Sequence, residues 1–513
     1  PYGIRSYCSD DKFGWQATHS ALVFSPVDIS TGKLLTGELR AFLVGHDTAI
    51  DVDSGPTDLW SDEISSILNE NTRNDSERTS IFESFVSSLV AATSGAVAVM
   101  PDYIGYGESK DYDRAYLSPM VYEQAAAVSY AAAKRYISST SSGCTVLSDV
   151  VSITGYGEGG YFAVRGGLAL DQNGVTILSS RPGGTPLDLD SQLGFSFQLE
   201  QDEFLISLRS SPSQSISLDL FLAFFGYAYS NDFPFVSNSG SDQRALDPTW
   251  MEESDVKKNV ISWFDSSQPL ARDEIVDLLP ANAEDLFNRA IVDLYHEANY
   301  EGQPKNACRS GMFVTDATRS LCDAILDASL WDILSTDTKF PVSICHSAQD
   351  DIFGFENMPD PSTLPPNVKF YGNNLDSLNP RGGHRESMFL CALDPIIQIT
   401  SYFEDSDNAN SPVFRQPLGN LPSQCQTDST DNIITTPNPT LPPFITDKEC
   451  GELYQRCEGA RKCCRNFTCK SRFVTGGKMV KICSPPNRNN KRTSIAEAGV
   501  GGSRRRKYNP RRA

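Results

Sequence analysis

Residues Val151 to Gly167 read VSITGYGEGGYFAVRGG: a β-branched strand, a turn dense in glycine and a helix-forming run in direct succession. A strand that turns into a helix within three residues leaves no room for side chains on its flanks. It also holds its central residue in a backbone state that most side chains avoid. Gly155 and Gly159 flank this corner, Gly160 adds room, and the central residue is Gly157. A corner of this kind sits at the edge of a parallel sheet, so the neighbouring chain is expected to alternate strand and helix.

It does so over the first 185 residues. Ala41 to Val44 reads as a short apolar strand, Phe82 to Ala92 as a helix, and Ala96 to Met100 as a buried strand ended by Pro101. The alanine-rich Val121 to Ile137 is helical, Val150 to Thr154 is the strand before the corner, and Val175 to Leu178 is a further strand. This rhythm predicts an α/β architecture with a parallel sheet and crossover helices. From 190 to 338 the rhythm is lost, and helix-formers with aromatic interruptions take over. Cys308 and Cys322 lie within that stretch at a spacing that suits a local disulfide. Leu218 to Tyr229, the most apolar segment, is too short for a membrane span and predicts a buried helix. Pro341 to Cys345 resumes the strand pattern, so 190–338 reads as a lid or cap insertion in a domain of 1–403.

The corner and four further motifs fall in a meaningful order. Gly45-His46-Asp47-Thr48 follows the first strand, and Pro101-Asp-Tyr-Ile-Gly-Tyr-Gly-Glu-Ser109 follows the strand before the corner. Later come Cys345-His-Ser-Ala-Gln-Asp350-Asp-Ile-Phe353 and Gly382-Gly-His384. Together they resemble secreted α/β-hydrolases of the secretory-lipase type, over roughly residues 15–403. The resemblance implies a catalytic site in the order nucleophile, acid, histidine, with Gly157 at the nucleophile position, Asp350 as the acid and His384 as the base. It implies an oxyanion hole at Asp47 and Glu158, with no metal and no cofactor. Asp351 competes with Asp350 for the acid role. His46 and His346 are expected to be structural, Asp102 to cap a turn, and Ser152 and Thr154 to belong to the buried strand. The other reading of GYGEGG, a phosphate-cradling turn, fits poorly because such a motif belongs in the first βα unit of a chain.

Glycine carries no nucleophile, so no acyl-enzyme can form at residue 157. Two functional readings follow. In one, the body is a catalytically impaired esterase or lipase scaffold that binds an ester-, lipid- or peptide-like ligand, or a partner. In the other, it is an active carboxylic-ester hydrolase that uses Asp350, His384 and the oxyanion hole.

Residues 404–445 are rich in Ser, Thr, Asn, Asp and Pro and predict a linker. Cys450, Cys457, Cys463, Cys464, Cys469 and Cys483 then crowd the segment 446–485 with the spacing C-x6-C-x5-CC-x4-C-x13-C. A unit so small needs cross-links, and its cysteines predict an oxidising, extracellular setting. Sequons at Asn74 and Asn466 agree with a secreted glycoprotein. Zinc is a poor fit, since no histidine lies near and C-x-x-C is absent. The spacing resembles inhibitor cystine knots, which implies the pairing Cys450–Cys464, Cys457–Cys469 and Cys463–Cys483. Residues 486–513 read as a disordered basic tail.

The net charge of −21 is divided unevenly. Residues 446–513 carry 18 Lys and Arg against 5 Asp and Glu, leaving 26 against 60 for the rest. The basic end therefore suits an anionic glycan or membrane surface, while nothing specifies a nucleic-acid site.

Overall fold

The computed structural model describes residues 2–10, 15–28, 31–49, 55–58, 76–110, 112, 114–199, 218–230, 245–247, 278–280, 283–302, 306–316, 318–350, 352–354, 361–370, 383–384, 387–388, 391, 415–416, 468–474 and 478–484. The chain divides into two units, Pro1–Asp428 and Ser429–Ala513.

The first unit is built on a nine-stranded sheet. Its strands are β1 (Tyr2–Asp10), β2 (Trp15–Phe24), β3 (Gly37–Gly45), β4 (Val97–Pro101), β5 (Thr145–Tyr156), β6 (Thr176–Gly183), β7 (Val342–Ile344), β8 (Val368–Phe370) and β9 (Arg415–Gln416). The order across the sheet is β1-β2-β4-β3-β5-β6-β7-β8. From β4 to β8 every pairing is parallel, whereas β2 runs antiparallel to both β1 and β4. Parallel strands covered on both faces need continuous apolar runs. Val97–Pro101 is such a run, buried throughout, and Pro101 ends it because proline has no N–H to continue the ladder.

Helices α1 (Ser76–Thr93), α2 (Pro119–Thr140) and α3 (Glu158–Gln172) connect the central strands. Proline at the first position of α2 is preorganised for a helix start, and the helix buries Val121, Tyr122, Ala125, Ala126, Ser129, Ala133 and Ile137 along one face. Helix α3 is buried from Glu158 through Leu170. Its small residues make that possible. A Cβ on Gly166 would lie 2.7 Å from Ala126 Cβ of α2, so the two helices touch where neither carries bulk.

Between β6 and β7 the described chain forms helices, turns and one isolated antiparallel bridge, Leu246–Phe287: α4 (Leu189–Leu199), α5 (Leu218–Ala228), α6 (Arg289–Tyr300), α7 (Arg319–Ala328) and α8 (Leu330–Thr336). The described part of 190–338 is thus mainly helical, and the apolar Leu218–Ala228 is a helix buried from Leu220 onward. Cys308 and Cys322 form the local disulfide expected from their spacing, with Cα atoms 5.0 Å apart. No described helix is long and apolar enough to cross a membrane.

Three features were not expected from the sequence. The β1–β2 hairpin and β8 extend the sheet at its two edges. Arg415 and Gln416, inside the stretch read as linker, pair antiparallel with Leu39 and Glu38 of β3. In the second unit, β10 (Thr468–Val474) and β11 (Lys478–Ser484) form an antiparallel hairpin that sets Cys469 opposite Cys483. The other four cysteines of the proposed knot, Asn74, Asn466, Asp351 and the 486–513 tail lie outside the described residues.

Candidate functional site at the carboxyl edge of the sheet

The residues singled out by sequence come together where α/β sheets place their sites, beyond the carboxyl ends of the strands. β3 and β5 are parallel neighbours in the register Gly45↔Gly155. Two residues beyond that pair, Asp47 and Gly157 stand level with each other. The Gly183↔Cys345 bridge continues the edge through β6 and β7, and the Asp350 loop follows.

The corner has the expected geometry. Gly157 adopts φ 56° and ψ −120°, in the left-handed region that favours glycine, and it is the residue from which α3 springs. Its N–H donates to Gly183 O at 2.9 Å. A Cβ on Gly159 would lie 2.5 Å from Gly45 O, so a glycine there lets the helix start sit directly on the end of β3.

The acid–histidine pair is assembled. His384 Nδ1 lies 2.8 Å from Asp350 Oδ2, with both side chains buried. Asp350 Oδ1 accepts the N–H groups of Ile352 at 3.0 Å and Phe353 at 2.8 Å, which fixes the carboxylate. Burial acts to raise its pKa. The His384 charge and hydrogen bond, the nearby His346 and the Phe353 N–H outweigh that and hold it below the ordinary value. Asp350 is thus a carboxylate bonded to His384, while Asp351 lies outside the described residues. The disulfide Cys345–Cys391 joins the end of β7 to the segment after His384, tying the acid and histidine loops together.

Sequence reasoning missed the residues that orient the histidine. Tyr156, immediately before Gly157, donates to His384 O at 2.8 Å and lies 2.8 Å from Ser387 Oγ. Its ring packs 4.8 Å from the imidazole, and Phe353 closes on it at 5.2 Å. An aromatic beside an elbow reads in sequence as ordinary core, so only the fold shows its partner.

The space above Gly157 holds the carboxylate of Asp47. A Cβ on residue 157 would overlap Asp47 Oδ1 and lie 2.7 Å from its Cγ. Asp47 Oδ1 accepts the backbone N–H of Thr48 at 2.8 Å and of Glu158 at 3.3 Å. Oδ2 is buried and has no hydrogen-bond partner among the described residues. The N–H of Glu158, one of the two residues expected at an oxyanion hole, and that of Thr48 thus both point at the side chain of Asp47, the other. Burial pushes the Asp47 carboxyl up from its ordinary value, while the His384 charge and the two N–H bonds oppose the shift. The N-terminus of α3 also favours negative charge there.

The surroundings are aromatic and tightly bonded. Glu158 is pushed up to about 8 by burial, against the hydrogen bond it accepts from Tyr122 OH at 2.7 Å. His46 is structural. It stacks on Tyr103 at 4.1 Å, its Nδ1 lies 2.8 Å from Asp47 O, and burial lowers its pKa to about 4. His346 Nε2 lies 2.6 Å from Phe353 O, also a structural bond. Asp102 does more than cap a turn. Its buried carboxylate accepts Ser20 Oγ of β2 and both the N–H and Oγ1 of Thr57, joining three segments. Thr154 Oγ1 bonds Arg181 O and Ser152 Oγ bonds Ser179 Oγ, so neither hydroxyl serves the site.

No protein-family profile matches the chain, and no curated protein matches it in sequence. Solved structures do. A Legionella pneumophila protein assigned as a hydrolase aligns over 79% of this chain and 89% of its own, with TM-score 0.53 and 15% identity. The cell-wall-degrading esterase LipA of Xanthomonas oryzae aligns over 79% and 90%, with TM-score 0.49 and 15% identity. Candida antarctica lipase A aligns over 69% and 66%, with TM-score 0.41 and 15% identity. At such identity the first of these speaks to the fold and not to the activity. With the sheet order, the strand–turn–helix corner at Gly157 and the joined Asp350–His384 pair, the chain has an α/β-hydrolase fold.

Proposed function

We propose that this chain is a secreted protein on an esterase- or lipase-type α/β-hydrolase scaffold that does not turn over carboxylic esters and instead binds an ester-, lipid- or peptide-like ligand. One observation carries the reading. Glycine occupies the nucleophile position, and Asp47 fills the space above it while accepting the Glu158 N–H. Removing a nucleophile ordinarily leaves about 10³–10⁴-fold catalysis from the oxyanion hole and binding. With those donors bonded to Asp47, a substrate carbonyl has nothing to stabilise its oxyanion, which counts against the ester-hydrolase reading as well.

Secretion is supported by the Cys308–Cys322 and Cys345–Cys391 disulfides. The 190–338 insertion, as a lid, would set ligand choice. The basic knot-like end would hold the protein at an anionic glycan or membrane surface. The test is direct: the wild-type chain should resist a fluorophosphonate probe and cleave short p-nitrophenyl esters at the rate of its His384→Gln variant. Stoichiometric labelling, or ester turnover that depends on His384, would sink the proposal. For the tail, binding to heparin should weaken as salt rises.

A further inference from the structure

A cavity of about 540 Å³ opens on the helical insertion and shares no described lining residue with the Gly157 corner. One wall is the C-terminal end of α6, through His296, Glu297, Asn299, Tyr300 and Glu301, and Phe313 stands on the other. Both walls are held at one buried carboxylate. Asp190, at the start of α4, accepts Tyr295 OH of α6 at 3.1 Å, and also the N–H groups of Cys308 at 3.1 Å and Arg309 at 3.0 Å. The Cys308–Cys322 disulfide braces the loop that carries Phe313, and so does Arg309 Nη1, which donates to Asp332 Oδ1 at 2.6 Å. Helix and loop therefore keep a set separation, and the space between them falls within the about 300–1,000 Å³ of ordinary ligand pockets.

The lining is acidic and aromatic. Glu297 and Glu301 are exposed one helical turn apart, and neither forms an ion pair among the described residues. The described arginines of the region are already paired: Arg289 with Asp293 at 2.8 Å, Arg309 with Asp332, and Arg319 with Asp316 at 3.7 Å. His296 Nε2 lies 2.5 Å from Glu284 Oε1, so Glu284 is engaged as well. The cavity also sits at the end of α6 where unsatisfied carbonyls concentrate partial negative charge. Tyr300 is 90% exposed and Met312, next to Phe313 in the chain, is 60% exposed, more than any other large apolar side chain described. Apolar side chains left in solvent around a cavity mark an interaction site and not core.

We propose that this cavity binds an arginine side chain of a basic peptide segment supplied by a partner protein, with the guanidinium on the Tyr300 ring and bonded to Glu297 and Glu301. The ligand class follows from the lining. A bare metal ion is far smaller than the space and gains little from a Tyr and a Phe. A quaternary ammonium suits an aromatic face but has no N–H for two carboxylates that lack partners. A lysine ammonium offers a compact point charge. Guanidinium alone is planar, stacks on an aromatic ring and carries five N–H donors in a fork that matches carboxylates. The acidic body of the chain would steer such a partner toward it. The inference does not depend on what residue 157 can do, so its failure leaves the non-esterase reading standing.

The test uses the full, disulfide-intact chain and a fluorescein-labelled peptide of alternating alanine and arginine, with binding read by fluorescence anisotropy. The peptide should bind, more weakly as salt rises, and its alanine–lysine counterpart should bind several-fold less well. Glu297→Gln and Glu301→Gln should each raise Kd about threefold or more, and Tyr300→Ala about threefold, whereas Tyr300→Phe should bind as wild type does. These side chains are exposed, so the variants should keep the wild-type melting temperature. Asp293→Asn removes the same unit of charge from α6 at a residue that does not line the cavity, and it should leave Kd unchanged. Absence of binding, equal affinity for the lysine peptide, or a Tyr300→Ala variant that binds as wild type does would overturn the proposal. So would an Asp293→Asn loss as large as that of Glu297→Gln, since bulk acidity would then explain the binding.

Discussion

Restoring serine at residue 157 should not restore an esterase, because the space is already taken. In Gly157→Ser the new Cβ overlaps Asp47 Oδ1 and comes within 2.7 Å of its Cγ, so the carboxylate must swing away. Two costs follow. A non-glycine residue at φ 56° costs about 1–3 kcal/mol. Displacing Asp47 breaks its bonds to Thr48 and Glu158 N–H, and a hydrogen bond to a charged group is worth about 1.5–3 kcal/mol. The loop can relax and rebond one of them, so the single substitution should destabilise the fold by roughly 3–5 kcal/mol. That is a large share of the about 5–15 kcal/mol that holds a typical protein together. Asp47→Gly/Gly157→Ser removes the overlap and keeps only the backbone term. It also frees both N–H groups and sets the new hydroxyl beside the His384–Asp350 pair. The assay is thermal unfolding followed by fluorophosphonate labelling and p-nitrophenyl ester hydrolysis. The single variant should melt lower and stay unlabelled. The double variant should label and gain at least about 10³-fold in turnover, and lose it again on His384→Gln. A single Gly157→Ser variant as stable as wild type and fully labelled would show that Asp47 does not hold that space, and would refute the reasoning.

Three further outcomes are expected. Tyr156→Phe should cost about 1 kcal/mol in urea unfolding from the lost bond to His384 O, and in the serine-restored double variant it should lower kcat far more than it raises KM. Cys391→Ser should lower the melting temperature, since a loop closed by a disulfide is typically worth about 2–4 kcal/mol, and the same loss should appear in wild type on mild reduction. Asp102 supplies a pH signature. Burial raises its carboxyl to about 7 despite the bonds from Ser20 and Thr57, so between the unfolded value of 3.8 and about 7 the native state holds a proton that the unfolded chain has released. Its contribution to stability is therefore full in acid and falls as pH rises through that window. Asp102→Asn should flatten the fall in urea midpoint between about pH 4 and about pH 7. An unchanged slope would mean that Asp102 titrates normally.

Much of this was legible in the sequence, for identifiable reasons. The corner at Gly155–Gly160 could be read because a strand-to-helix turn of that tightness admits few residues. The buried strands could be read because parallel sheet interiors demand apolar runs such as Val97–Met100. Motif order singled out Asp350 and His384, which the fold sets in contact, and Cys308–Cys322 followed from proximity in the chain. What could not be read depends on long-range register or on contacts between distant loops. Tyr156 looks like any strand aromatic until the His384 loop packs on it, 228 residues away in sequence. The Cys345–Cys391 pairing spans 46 residues and is one choice among many. The two-residue β9 carries no pattern at all and exists only because β3 offers Glu38 and Leu39 beside it.

Asp47 is the sharpest case, and it shows how a single register decides what a loop side chain does. As sequence, Gly45-His46-Asp47-Thr48 suggests a loop that lends an N–H, and its side chain has no evident role. Parallel pairing of Gly45 with Gly155 then sets the second residue beyond that pair on each chain, Asp47 and Gly157, at the same height. With a side chain at 157 the two would compete for one volume, and with glycine there the carboxylate enters it. The helix N-terminus and the two N–H groups that favour an oxyanion favour a carboxylate oxygen for the same physical reason. Glycine at 157 therefore leaves the Asp47 carboxyl in the space that a side chain there would take. Burial raises the Asp47 carboxyl while the His384 charge lowers it. His384→Gln removes that charge and should raise the Asp47 carboxyl further, read by NMR titration of its side-chain carbon. A carboxyl signal that does not move would mean that the His384 charge does not reach Asp47.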